Sequence, residues 1–143
     1  MKSSKLIFGI FLLCISFISC EKDDDNNSLD YNQEVIISAI LYNTAPSDFL
    51  TINNVVLRDD YLKINFSSGG CSGESWEIKL IDADVILESY PPQRNLRLSL
   101  KNEELCEAYI TKEISFDISE LQVDGNQVLL NINNFESQIL YVY

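Results

Sequence analysis

Apolar and polar side chains alternate along most of the chain from residue 35 onward. The period is two in five stretches, at 61–66, 75–80, 96–101, 114–118 and 128–132. Alternation of this kind is typical of strands that bury one face and leave the other in water. Apolar runs at 35–41, 49–57, 84–89 and 138–143 are also predicted to be strands.

Turn-forming residues separate these stretches. Pro46, the glycines around Cys71 and the pair Pro91-Pro92 interrupt the apolar rows, and Asp124-Gly125-Asn126 is a hairpin signal. Turns every 8–12 residues predict an all-β fold, a single antiparallel β-sandwich, Ig-like or related, of about 7–9 strands.

Two stretches depart from simple alternation. Residues 102–108 have no period of two, which predicts one helical turn around Cys106. Residues 139–143 are apolar at every position. We therefore expect the last strand to be central, or covered on both faces.

The N-terminal residues have the pattern of a secretory signal. Lys2 and Lys5 precede an uncharged apolar segment at 6–19, which has only 14 residues. About 20 apolar residues are needed to cross a bilayer, so a cleaved signal peptide over residues 1–19 fits better than a membrane helix.

The segment Phe17-Ile18-Ser19-Cys20 resembles a bacterial lipobox, although Phe17 stands where leucine is usual. The resemblance implies that Cys20 is lipidated and becomes the mature N-terminus. The next residues, Glu21, Lys22, Asp23, Asp24 and Asp25, resemble the acidic signal that exports lipoproteins of Bacteroidota to the cell surface. The alternative interpretation of this run is a solvated linker.

The acidic residues continue beyond that run. Residues 20–34 are too polar to bury much surface, and we expect a flexible tether with a span of roughly 20 Å. The whole chain has 22 Asp and Glu against 10 Lys and Arg, a net charge of −12. This charge argues against binding to nucleic acid, and against membrane binding through a basic patch on the protein surface.

The four cysteines divide by position. Cys14 lies in the predicted signal peptide and Cys20 in the lipobox, which leaves Cys71 and Cys106. Outside the cytoplasm such a pair is predicted to form a disulfide. A metal pair or a catalytic thiol is the alternative, but the chain has no histidine, which excludes Cys/His metal sites and Cys-His nucleophiles.

The Gly-Gly-Cys turn at 69–71, the aromatic strand that follows it, Pro91-Pro92 and Cys106 together resemble small uncharacterised lipoproteins of Bacteroidota. The resemblance spans about residues 60–118. It implies a structural framework and carries no activity.

Carboxylates suggest two possible sites. Asp82 and Asp84, with Asp59, Asp60 or Asp124, offer oxygen ligands for Ca²⁺, although no EF-hand spacing exists and acidic turns explain them as well. Glu103, Glu104 and Glu107 could act with Glu74 or Glu77 as acid and base on a glycan, but a solvated acidic surface is the simpler interpretation.

Other chemical groups are weaker candidates. Ser72 and Ser75 have no histidine to activate them, and Lys79 as their base is speculative. Gly69-Gly70 could cradle a phosphate, but the predicted strand after it favours a simple turn. Four tyrosines could form a carbohydrate platform or pack in the core: Tyr90, Tyr109, Tyr141 and Tyr143.

Taken together, the sequence predicts a lipoprotein of the outer membrane, facing the cell surface rather than the periplasm. We expect a non-catalytic binding or accessory module with no catalytic residues, no metal and no cofactor. Its expected partners are the membrane, through the lipid, and other envelope proteins or glycans. The alternative is a carboxylate-dependent glycan hydrolase, which needs a cleft with two carboxyl groups and a raised pKa.

Overall fold

The computed structural model describes residues 32–143. The predicted signal peptide, Cys20, the export-signal residues and the tether up to residue 31 lie outside this range. The elements are β1 (Asn32–Glu34), β2 (Ile36–Ile37), α1 (Ala39–Thr44), β3 (Thr51–Arg58), β4 (Tyr61–Gly70), β5 (Glu77–Leu87), β6 (Gln93–Lys101), β7 (Ala108–Asp117), a 3₁₀ turn (Ser119–Leu121), β8 (Gln127–Ile132) and β9 (Ile139–Val142).

The strands form two sheets that face each other. One sheet has the order β1-β7-β4-β3 and the other β2-β5-β6-β8-β9. The predicted all-β sandwich is confirmed. The prediction of purely antiparallel pairing is wrong, because β1 with β7, β2 with β5 and β6 with β8 are parallel pairs.

The first strands cross from one sheet to the other. The amide of Val35 donates to the carbonyl of Asp117 at 3.0 Å, and the amide of Ser38 donates to that of Asp82 at 3.1 Å. The predicted strand at 35–41 is wrong beyond Ile37, because the Ser38 hydroxyl caps α1 by accepting from the Leu41 amide at 3.2 Å. Within the described range, no helix is long and apolar enough to cross a bilayer.

The alternating rows form the core between the sheets. Side chains of both sheets are buried there, among them Leu62, Ile64, Phe66, Leu80, Leu96, Leu100, Phe116, Val128, Leu130 and Tyr141. Ile81 is also buried, but on the outer face of its sheet, where α1 packs on β5. Burial of one face per strand is what the period of two predicts.

The strands predicted at 75–80 and 84–89 are one strand, β5. Its pairing with β6 is irregular between Asp82 and Ile86, and Asp84 has a φ of 57°. β5 has two more residues than β6 between these pairs, so it bulges there without ending, and the break in alternation is not a break in the strand.

Three further predictions are corrected by the topology. Residues 102–107 contain no helix. The turn at Asp124-Gly125-Asn126 leads into β8 but closes no hairpin, because β7 and β8 belong to different sheets. β9 is an edge strand, and its outward side chains Leu140 and Val142 are 47% and 57% exposed. Tyr141, which lies between them, is fully buried.

Candidate functional site

The sandwich is open along one side. β1 pairs only with residues 115–117 of β7, and β2 only with residues 81–82 of β5. The earlier halves of both strands therefore leave a gap between the sheets. A cleft of about 450 Å³ occupies it, with lining residues Gln33, Phe66, Gly73, Glu74, Trp76, Ile78, Lys112, Glu113 and Ile114.

Trp76 forms the apolar wall of this cleft. Its ring lies 6.0 Å from that of Phe66 and packs against the Gly70–Gly73 turn. A Cβ on Gly70 would lie 3.0 Å from the Trp76 ring, and Gly73 has a φ of +69°. Both positions therefore need glycine. Lys112 completes the wall, with its Nζ 5.7 Å from the Trp76 ring and 2.5 Å from the Gly73 carbonyl oxygen, to which it donates.

The turn above Trp76 holds a carboxylate. Oε2 of Glu104 accepts from the amides of Cys71, Ser72 and Gly73 at 2.5, 3.0 and 3.0 Å. Oε1 accepts from the Ser75 hydroxyl at 2.9 Å. Successive amides that converge on one anion form a nest. The turn therefore binds an anion of its own chain, whereas Gly69 and Gly70, which were suggested as a phosphate cradle, are the last residues of β4.

The nest fixes the charge state of Glu104. Hydrogen bonds from the amide of Gly73, and then from those of Cys71 and Ser72, lower its pKa from 4.5 to about 2. Glu104 therefore stays ionised in the folded protein at ordinary pH. Because an ionised carboxylate has no proton to donate, Glu104 is a poor general acid. Its hydrogen bonds to the three amides hold the turn closed.

We expect Glu104→Gln to destabilise the domain at neutral pH, with a difference from wild type that vanishes in acid. A lowered folded pKa contributes stability above the ordinary pKa, and that contribution is lost as pH falls from 4.5 towards about 2. Unfolding by urea at a series of pH values measures the difference.

Glu103→Gln and Glu107→Gln are the matched controls, because these neighbours make no contact with the nest. Both should unfold close to wild type. An equal loss in all three variants, or a Glu104→Gln difference that is unchanged between pH 7 and strong acid, would contradict the role of the nest.

The predicted disulfide is confirmed. Cys71 and Cys106 are bonded, with a Cα–Cα distance of 4.8 Å. Asn102 holds the other end of the same loop, because its side-chain amide donates to the Gly69 carbonyl at 2.7 Å and its Oδ1 accepts from the Glu104 amide at 3.0 Å. The loop at 102–106 is thus fixed on both sides of Glu104.

Three of the carboxylates suggested for glycan hydrolysis are engaged in contacts with other groups of the chain. Glu104 is held in the nest, and Ser75 is one of its donors. Glu77 accepts from Lys101 at 2.9 Å, and this hydrogen bond lowers its pKa. Glu103 lies 3.4 Å from the same ammonium group. Only Glu74 of this set lines the cleft.

The proposed Ca²⁺ ligands are also separated by the fold. Asp82 is fully buried and paired with Arg94 at 2.9 Å, whereas Asp84 is exposed. Asp60 accepts from the hydroxyl of Tyr141 at 2.5 Å. No group of three or more potential metal ligands occurs between residues 32 and 143. No cation partner was predicted for Asp82, and the structure supplies Arg94.

The four tyrosines do not form one platform, and the alternative of packing in the core holds for Tyr141. Tyr141 is buried and stacks on Tyr143 with ring centroids 4.9 Å apart. Tyr90 and Tyr109 are 95% and 63% exposed, but Tyr90 follows the end of β5 whereas Tyr109 lies near the start of β7. The start of β5, next to Trp76, adjoins the start of β7, so the two exposed rings lie at opposite ends of the sandwich.

The fold resembles those of three solved proteins from Bacteroidota. A NigD-like immunity protein from Bacteroides caccae matches with a TM-score of 0.59 and 10% identity, over 78% of this chain and 64% of that one. A putative toxin-related protein from Parabacteroides distasonis matches with 0.52 and 20%, over 78% and 59%. A protein of unknown function from Bacteroides vulgatus matches with 0.52 and 17%, over 78% and 55%.

At these identities the likeness is one of fold. The chain spans less than two thirds of the length of each of the three solved proteins. No family model matches the sequence. No curated protein matches it either.

Proposed function

We propose that this protein is a lipoprotein, anchored through Cys20 in the outer membrane and exposed at the cell surface, which acts as a non-catalytic binding module. The anchor rests on the lipobox-like Phe17-Ile18-Ser19-Cys20 and the acidic run that follows it. Two or more acyl chains give durable attachment, because each buried CH₂ contributes about 0.8 kcal/mol.

The observation that carries the binding role is the cleft beside Trp76. It is preformed, and it combines an apolar wall of Phe66, Trp76, Ile78 and Ile114 with polar groups of four other lining residues, as ligand-binding clefts do. Three of the five glutamates suggested for hydrolysis are engaged in other contacts, Glu104 in the nest and Glu77 and Glu103 with Lys101. These contacts favour binding over the alternative of glycan hydrolysis.

The comparisons are compatible with this proposal. Two of the neighbours in fold are described as a NigD-like immunity protein and a toxin-related protein, and neither description is that of a hydrolase. Their common source in Bacteroidota agrees with the export-signal resemblance at Glu21–Asp25.

The anchor is tested with Cys20→Ser in the full-length chain. We expect the variant to move from the membrane fraction to the soluble fraction, because no acyl chain can attach. Cys14→Ser is the matched control and should remain in the membrane, since Cys14 lies in the segment that is removed. An unmodified Cys20 in the mass spectrum of the native protein would refute the proposal.

Surface exposure needs a separate experiment. Intact cells are treated with a protease, and a variant with alanine at Asp23, Asp24 and Asp25 is compared with wild type. We expect wild type to be degraded and the variant to be protected while both stay in the membrane fraction. Survival of the wild-type domain alongside a cleaved surface control would place it inside.

A further inference from the structure

Among residues 32–143, no strand pairs with the edge of β7 that faces away from β4 before Ser115, where β1 begins. The carbonyl of Asp117 accepts from Val35, the residue after β1, whereas the amide of Ile118 donates to Asp60 on the β4 side. The pairing of β7 with β4 has no irregularity, so this alternation continues along the strand. The amides and carbonyls of Tyr109, Thr111 and Glu113 therefore point away from β4, beyond the end of β1.

The two sides of this edge differ in chemistry. The cleft beside Trp76 lies on the inner side and is lined largely by apolar side chains. A polar groove of about 490 Å³ adjoins it, lined by Asn65, Ser72, Glu74, Ile110, Thr111, Lys112 and Glu113. Glu74, Lys112 and Glu113 line both, so the cleft and the groove meet along β7.

We propose that the β7 edge from Tyr109 to Glu113 binds an extended segment of a partner protein, in which apolar residues alternate with basic ones. The segment adds to the sheet as a strand, with hydrogen bonds to the free groups of Tyr109, Thr111 and Glu113. Successive side chains of a strand point to opposite faces, so every second residue enters the apolar cleft. The residues between them lie over the polar groove.

Charge selects basic residues for the groove. Glu74 has no ion-pair partner among residues 32–143, and Glu113 has only the exposed Lys63, at 2.7 Å. The one cation at the edge, Lys112, is turned towards the Gly73 carbonyl and the Trp76 ring. A net charge of −12 on the chain adds long-range attraction for a basic segment.

Charged residues also protect free sheet edges against aggregation, and Lys112 and Glu113 serve that purpose at any edge. Protection against aggregation does not explain why the inner side of the β7 edge borders an apolar cleft. Phe66, Trp76 and Ile78 line an open cleft there, where a protected edge would be covered or filled.

The test uses the mature chain, residues 20–143, carrying Cys20→Ser so that no lipid is attached. The probe is a fluorescent peptide of about eight residues that alternates valine and lysine. Thr111→Pro removes the outward amide and leaves the β4 ladder intact. We expect it to weaken binding of the peptide about tenfold or more, by loss of a hydrogen bond and by the bulk of the ring.

Two matched controls accompany this variant. Thr111→Ala keeps the amide but loses the hydroxyl that contacts Ser67 at 2.7 Å, and it should bind like wild type. Val142→Pro removes an outward amide at the other open edge, on β9, and should also bind like wild type. Glu74→Lys should weaken the valine-lysine peptide and strengthen a valine-glutamate one.

The outcomes are distinguishable. The proposal is overturned if Thr111→Pro and Thr111→Ala bind the valine-lysine peptide equally well. It is also overturned if the protein binds a peptide of the same composition in which all valines precede all lysines. Binding that occurs only after residues 20–31 are removed overturns it too, because the chain itself would then occupy the edge. This inference rests on the proposed binding function, but the test needs no membrane, so failure of the anchor at Cys20 leaves it standing.

Discussion

Arg94→Met is expected to lower the free energy of unfolding by about 3–5 kcal/mol, since it leaves a buried carboxylate without its cation. Asp82 is fully buried and Arg94 nearly so, and their side chains are 2.9 Å apart inside the sandwich. Among the described residues no other cation contacts Asp82, whose Oδ1 also accepts from the amide of Asp84 at 2.8 Å. Urea unfolding measures the loss.

The loss should depend on pH in a defined direction. Burial raises the pKa of Asp82 despite the opposing effect of Arg94. Removal of Arg94 raises that pKa further, so the folded variant takes up a proton more readily than the unfolded chain. The variant is therefore expected to recover stability as pH falls, and the loss should be smaller at about pH 5 than at about pH 8.

Two variants test whether the unpaired charge of Asp82 or the altered packing causes the loss of stability. Asp82→Asn with Arg94→Met removes both charges and keeps an acceptor for Asp84, so most of the lost stability should return. Lys101→Met breaks the exposed pair with Glu77 and should change little. A double variant no more stable than Arg94→Met alone would show that packing, and not the unpaired charge, causes the loss.

The fold was predictable as far as local patterns determine it. Alternation predicts a strand because side chains in a strand change face at every residue, and the rows at Leu62–Phe66 and Val128–Ile132 are buried accordingly. Which strands pair is not a local property. The parallel pair β6–β8 and the move of Ile36–Ile37 to the second sheet depend on contacts that no short segment encodes.

The charged pair had a signal that was overlooked. Ile78, Leu80 and Asp82 stand at every second position, so their side chains share one face of a strand. Arg94 shares a face with Leu96 and Leu98 in the same way. An acid and a base on two apolar faces of neighbouring strands indicate a buried pair. Taken only together with other acids, Asp82 suggests an acidic turn or a Ca²⁺ ligand, and neither describes its buried position.

The nest was less accessible from sequence. Gly-Gly-Cys-Ser-Gly predicted a turn, and Glu104 lies two residues before Cys106. The disulfide, the hydrogen bond from Asn102 to Gly69 and the pairing of Gly70 with Ala108 bring these segments together, and none of these contacts is local in sequence. The choice of Glu104 over Glu103 or Glu107 follows from the side-chain and amide contacts of Asn102.

Cys71→Ser with Cys106→Ser is expected to lower the free energy of unfolding by about 3.8 kcal/mol, from the loop-closure entropy of a separation of 35 residues. The disulfide also holds Glu104 within reach of the amides of Cys71, Ser72 and Gly73. Glu104→Gln should therefore cost less in the serine pair than in the disulfide-bonded protein. Urea unfolding of the four combinations measures this coupling, and additive effects would mean that the turn binds Glu104 without the bond.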